Sequence, residues 1–228
     1  MVRSLMYLTA SRPDLVFATC FCARYQARPT KKHLKEVERI FRYLKKTIHM
    51  GLRYPKDTSF KLTYFLDADH AGCLDTCKST SGGIHFVGNK LVSWPSKKQD
   101  CTAMSTAETE YVSMSACCAQ IILMRTQLTD CGFHFYKIPM YCDSKSATTI
   151  FCNPVQHTRT KHIVVRYHFI KKHVEKGIVE LYFVGTQYQL ADLLMKALSK
   201  KRFEYLDGRL SMRCLTPEEQ EHLANEHA

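Results

Sequence analysis

Apolar and polar positions alternate from Phe60 to Leu66, with Phe60, Leu62, Tyr64 and Leu66 on one side and Lys61, Thr63 and Phe65 on the other. A period of two predicts a strand with two unlike faces. Asp67 and Asp69 end it, and the chain turns at Ala71-Gly72. Before this strand the period is helical. Pro13-Asp14 open a helix carrying Leu15, Val16, Ala18 and Cys22, and Lys31–Lys46 forms a second with Leu34, Val37, Ile40, Phe41 and Leu44 at helical spacing. The polar run Pro55-Lys-Asp-Thr-Ser59 marks a boundary. Beyond the strand, Gly83–Val87 and Lys90–Trp94 flank Gly88-Asn89, a two-residue turn of the hairpin type, so the first three strands form a meander. A long helix is expected from about Thr102 to Leu128. A short apolar strand, Ile138–Cys142, then stops at Asp143. A helix from Ser144 to about Phe151, a basic loop over 153–163, a helix to Lys176, a strand Ile178–Val184 and a helix Gln189–Leu198 complete the pattern.

This order of elements predicts an α/β fold with one mixed sheet and helices on its faces, because parallel neighbours need long crossovers. Three regions follow: a helical segment over 1–55, the sheet domain over 56–200, and a polar tail over 201–228.

Charge narrows the partner. Among 228 residues, 33 Lys and Arg face 21 Asp and Glu, a net +12 that suits a polyanion such as nucleic acid. The basic positions between the apolar ones of Lys31–Lys46 fit a phosphate backbone, and equally a solvated face. No apolar run approaches the ~20 residues of a membrane span, so no membrane partner is expected. Eleven cysteines are an odd number scattered through apolar segments, which fits reduced thiols in an intracellular setting. Cys73 and Cys77 lack a second pair at a finger-like interval.

The acids carry the chemistry. Asp67 and Asp143 each finish an apolar strand, where ligands of open α/β sheets collect. At about 100° per residue, Glu110 falls on the stripe of Ala103, Ala107, Met114, Cys117 and Ile121, while Glu108 lies near the sector's opposite edge. A carboxylate in that sector either reaches a surface cation or holds a bound one. Asp192 stands in the first turn of the last expected helix, where the helix dipole alone would favour an acid. Four carboxylates from separate elements can meet only around cations, and oxygen-only ligands select Mg²⁺ or Mn²⁺.

Several blocks then become recognisable in order: Leu66–Gly72, Ser79–Gly82, Val92–Gln99, Ser105–Tyr111, Tyr141–Ala147, Lys161–Ile170 and Gln189–Asp192. Together they resemble the ribonuclease H domain of Ty1/copia-type retrotransposon pol polyproteins. The resemblance runs from about Met1 to Leu215, and Leu5–Asp14 resembles the segment that joins this domain to the reverse transcriptase. No Tyr-x-Asp-Asp polymerase motif is present, so the chain is expected to be the C-terminal piece of such a polyprotein. The resemblance implies a ribonuclease H-like mixed five-stranded sheet, endonucleolytic cleavage of the RNA strand of RNA–DNA hybrids, and two Mg²⁺ or Mn²⁺ ions. Its matching metal-binding and catalytic positions are Asp67, Glu110, Asp143 and Asp192. Lys97, Lys98, Ser105 and Thr106 are candidate substrate contacts. The reverse transcriptase part of the same polyprotein is a candidate partner, and the setting is cytoplasmic, in a virus-like particle, or nuclear. Leu66 replaces a usual small residue and Val164 a usual Asp, which leaves an impaired remnant that binds nucleic acid or docks on a polymerase as the alternative.

Overall fold

The computed structural model describes residues 1–56, 59–73, 75–145, 161–216 and 218–219, at positions 161–164 and 167 for the backbone alone. The chain divides into two compact units: residues 1–55 with 198–228, and residues 56–197. Most of the helix expected after Ser144, the basic loop as far as 160 and the side chain of Val164 lie outside the described residues, while 161–163 of that loop form the start of the helix Lys161–Glu175.

In the first unit, helices α1 (Val2–Leu8), α2 (Val16–Arg24) and α3 (Lys31–Lys46) share a small core of Leu5, Leu15, Cys22, Val37 and Ile40. Thr30 starts α3 as a cap, its hydroxyl accepting from the His33 N–H at 3.5 Å. Arg12 and Asp14 are buried beside this core as a two-pronged ion pair, 2.9 and 2.6 Å, and the Tyr43 hydroxyl donates to Asp14 at 2.9 Å. The segment whose polar composition predicts a tail is partly ordered instead. Ser199 caps a helix over Lys200–Arg209 that buries Leu206, and Met212–Cys214 pairs antiparallel with β1 (Met50–Leu52). Buried Leu206, Leu210 and Met212 supply the apolar spacing that the surrounding charges mask.

The second unit is built on β2 (Leu62–Asp69), β3 (Thr80–Val87), β4 (Lys90–Ser93), β5 (Ser96–Lys98), β6 (Ile138–Cys142) and β7 (Val179–Phe183). Their order is β4-β3-β2-β6-β7, with β5 as a short sixth strand beside β3. The meander is antiparallel, and β6 and β7 run parallel to β2. The five expected strands are present with one short addition. The strand expected over Lys90–Trp94 ends at Ser93, and beyond Trp94-Pro95 the chain pairs with β3 again, so that β4 and β5 share one edge of β3, meeting residues 85–87 and 80–82 respectively. Gly88 makes the β3–β4 turn with φ +62, which a side chain would resist.

The two faces of β2 differ as the alternation predicts. Leu62, Tyr64 and Leu66 pack against Tyr111, Met114, Cys118 and Ile121 of α4 (Thr106–Asp130), and Ile170 of the helix Lys161–Glu175 joins the same core. The opposite face carries a row of rings from four strands, Phe86, Phe65, Tyr141 and Tyr182, with successive centroids 6.3, 5.0 and 5.5 Å apart. α4 begins later than expected because the Ser105 hydroxyl accepts from the Glu108 N–H and fixes the start there. The last expected helix is a 3₁₀ segment, Leu190–Leu194. All five of its residues are buried, so it has no solvent face of the kind that supports a longer amphipathic helix.

Candidate metal centre

Asp67 leaves β2 from its penultimate turn of pleat, and Asp143 follows the last residue of the neighbouring parallel strand β6. Parallel pairing brings both strand ends to one edge of the sheet. α4 crosses there, and its Ser113 hydroxyl donates to the Asp67 carbonyl at 3.0 Å, which sets Glu110 one turn away over the same edge. One carboxylate oxygen each from Asp67, Glu110 and Asp143 lies within 4.8 Å of the others. The Ala68 N–H donates to Asp67 Oδ1 at 2.7 Å and to Glu110 Oε1 at 3.3 Å, tying the two carboxylates together.

Asp192 arrives from the 3₁₀ segment. Gln189 positions that segment: its amide donates to the Leu66 carbonyl at 2.8 Å, and its side-chain oxygen accepts from the Ala191 N–H. Lys196 completes the group, its ammonium 2.5 Å from Asp192 Oδ1 and 3.6 Å from Asp67 Oδ2.

Burial makes these acids costly when charged. Asp67, Glu110 and Asp192 are 4%, 7% and 3% exposed. The Asp67 carboxyl is pushed well up, first by burial, then by hydrogen bonding with Asp192 and the charge of Asp143, with Lys196 opposing. Glu110 is pushed up by burial first and then by Asp67, and the Ala68 N–H opposes. Close carboxylates in a shielded pocket repel until a cation joins them. The Lys196 ammonium already plays part of that role between Asp67 and Asp192. An all-oxygen donor set of this kind fits a hard divalent ion.

Leu66 does not intrude. Its side chain points away from Asp67 by strand alternation and is fully buried against α4, opposite Gly83. Of the expected substrate contacts, Lys97 is exposed on β5, 3.9 Å from Asp100. The Lys98 ammonium lies 3.2 Å from Cys73 Sγ, whose thiol is pulled down to about 7, chiefly by hydrogen bonding with Thr76 against the effect of burial. The Ser105 hydroxyl oxygen caps α4, and both Ser105 and Thr106 are exposed. Asp69 turns back over Gly72, where a Cβ would fall 1.7 Å from its Oδ2. Sequence reasoning missed Lys196 and Gln189. The signal for Lys196 was its i, i+4 spacing from Asp192. Gln189 carried no signal, since its partner is a backbone carbonyl 123 residues away.

Over 217 residues the chain is 36% identical to the retrovirus-related Pol polyprotein from transposon RE1 of Arabidopsis thaliana, covering 95% of this chain and 15% of that protein. It is 35% identical over 204 residues to the corresponding protein from transposon TNT 1-94 of Nicotiana tabacum, covering 89% of this chain and 15% of the relative. The chain thus spans about 15% of the length of these relatives. No family model matches it. Among solved structures, the N-terminal ribonuclease H domain of a Mycobacterium tuberculosis protein aligns with 66% of the chain and 98% of that structure, at 10% identity and a TM-score of 0.45. Among the described residues no helix is long and apolar enough to cross a membrane.

Proposed function

Because the chain belongs to the retrovirus-related Pol polyprotein family of copia-type transposons, we propose that its second unit is a ribonuclease H that hydrolyses the RNA strand of RNA–DNA hybrids during reverse transcription. The observation that carries this reading is the cluster of Asp67, Glu110 and Asp143, three carboxylates held within 4.8 Å at one sheet edge of a basic protein. In this reading Asp67, Glu110 and Asp143 would hold divalent ions, and Asp192, held beside Asp67 by Lys196, would be a fourth ligand. Bound Mg²⁺ or Mn²⁺ would supply an activated water and stabilise the charge that develops on the departing 3′ oxygen.

The chain's own residues fix the ligands before any ion arrives. Ala68 N–H orients two carboxylates and Ser113 holds the strand end against α4. Gln189 anchors the segment that bears Asp192. Selection of RNA would come from 2′-hydroxyl contacts across the hybrid's minor groove. Lys97, Lys98, Ser105 and Thr106 are the proposed substrate contacts, with Ser105 also holding the start of α4. The reverse transcriptase part of the same polyprotein is the proposed partner, inside the cell.

Cleavage of an end-labelled RNA–DNA hybrid by the full chain tests this. The RNA strand should be cut only with Mg²⁺ or Mn²⁺ present, and Asp67→Asn should abolish the cut. Failure of the intact chain to cleave would overturn the activity. Undiminished cleavage by Asp67→Asn would move the site elsewhere.

A further inference from the structure

We propose that α3, in the unit that lacks the acid cluster, is a separate nucleic-acid docking surface that runs along the phosphate backbone of a duplex. At about 100° per residue, Lys31, Arg42, Lys35, Lys46, Arg39 and Lys32 fall in that angular order within an arc of about 100°. All six are exposed. Glu38 and Glu36 border the arc on either side, and only Arg39 is paired among the described residues, with Glu36 at 2.6 Å. From Lys32 onward successive cations stand three or four residues apart, roughly 5–6 Å between neighbours on the face. From Lys31 to Lys46 the row is ~22 Å long at the helical rise. A duplex strand presents a phosphate about every 3.4 Å of its axis but winds around that axis, so a straight row of that length faces only a few of them.

Like charges at i, i+3 and i, i+4 weaken an isolated helix by a few tenths of a kcal/mol per pair, about 0.2–0.5. Here the cost is offset by the core contacts of Val37 and Ile40 and by the Thr30 cap. That arrangement also distinguishes nucleic acid from a lipid surface. A membrane-surface helix inserts its apolar side, but Val37 and Ile40 are sealed against Leu5, Leu15 and Cys22. Leu34 and Phe41 are exposed but lie about 60–80° from the basic arc, too few to insert as an apolar side. What α3 offers is charge on a rigid rod, with no groove or aromatic platform for reading bases. The contact should therefore be insensitive to sequence and steeply sensitive to salt.

Binding of the full chain to a fluorescent DNA duplex, in EDTA and over a salt series, tests this without requiring cleavage, so it stands or falls apart from the ribonuclease assignment. The variant Lys35→Gln/Arg42→Gln/Lys46→Gln removes three charges from the middle of the arc. The slope of log affinity against log salt should fall by about 2–3, from ~0.9 per phosphate contact, and affinity at moderate salt should drop at least tenfold. The control Lys90→Gln/Lys137→Gln/Lys171→Gln, with the same net charge, should change the slope by less than one. Lys35→Arg/Lys46→Arg should leave it unchanged. Circular dichroism should show all variants folded, since Lys35, Arg42, Lys46 and Lys137 are exposed and Lys90 and Lys171 only half-buried. An equal slope change in the control would overturn the proposal by making the effect one of net charge. An unchanged slope in the α3 variant would also overturn it, as would loss of binding to phosphatidylserine vesicles with duplex binding intact.

Discussion

Asp67 faces Gly82 directly across the β2–β3 ladder, and the missing side chain at Gly82 is what lets the Asp192 segment approach. A Cβ at Gly82 would lie 2.8 Å from Met195 Cγ and 3.4 Å from the Ala191 carbonyl. Gly82→Ala should therefore push Met195 outward and carry Asp192 and Lys196 with it. Overpacking of this sort costs about 1–3 kcal/mol. Urea melts should show a loss in that range, and the Mg²⁺ concentration needed for half-maximal cleavage should rise several-fold. Unchanged Mg²⁺ dependence would mean that the 3₁₀ segment can move without disturbing the acids.

Lys196 acts as an internal counter-ion for Asp192 and Asp67. Lys196→Met removes it and leaves the carboxylates to repel one another. Without metal the variant should melt lower. The ammonium is partly solvated, so the loss should be about 1 kcal/mol rather than that of a sealed pair. Mg²⁺ should then stabilise the variant more than it stabilises the natural chain, because the ion no longer competes with an ammonium. Differential scanning fluorimetry with and without Mg²⁺ reads both effects. Equal metal-induced shifts in the two proteins would remove Lys196 from this role.

The three acids that lie within 4.8 Å of one another stood out because each broke a local rule, whereas Asp192 broke none. Asp67 and Asp143 ended apolar strands, and Glu110 interrupted an apolar helical stripe. The meander was legible from strict alternation and one Gly-Asn turn. What stayed hidden depends on long-range partners. Gln189 looks like any loop residue until its amide is seen on the Leu66 carbonyl. Lys200–Met212 reads as a tail because its few apolar residues are diluted by charge, yet those few pack inward. Leu66 looked like an intruder because sequence gives its adjacency to Asp67 and not its opposite direction.

The buried Arg12–Asp14 pair should govern the first unit. Asp14 is fully enclosed and accepts from both Arg12 and Tyr43. Asp14→Asn takes away the guanidinium's hydrogen-bonded counter-charge, for which the expected cost is about 3–5 kcal/mol. Replacing both partners, Arg12→Met with Asp14→Leu, should recover most of that loss, because the desolvated charges disappear together. A double-mutant cycle in urea gives the answer. Additive losses would show that the two side chains do not act as a pair.

Asp207 should give the first unit a pH dependence of its own. Its carboxyl is buried on the helix Lys200–Arg209, and its Oδ1 has no hydrogen-bond partner among the described residues. Burial, helped by the nearby Asp14 charge and opposed by Arg12, raises it to about 6. An unfolded Asp titrates near ~3.9. Below that value both states are protonated and the residue has no effect. As pH rises from about 4 to about 6, the unfolded chain gives up its proton first, so stability falls, and it stays lower above that window. The full loss is roughly 2 kcal/mol once partial solvent screening is allowed for. Asp207→Asn cannot ionise, so the variant should match the natural chain near pH 4 and exceed it in stability near pH 7. Urea melts at half-unit steps between those limits measure the difference, and curves that stay parallel throughout would show that Asp207 is not held in its protonated form.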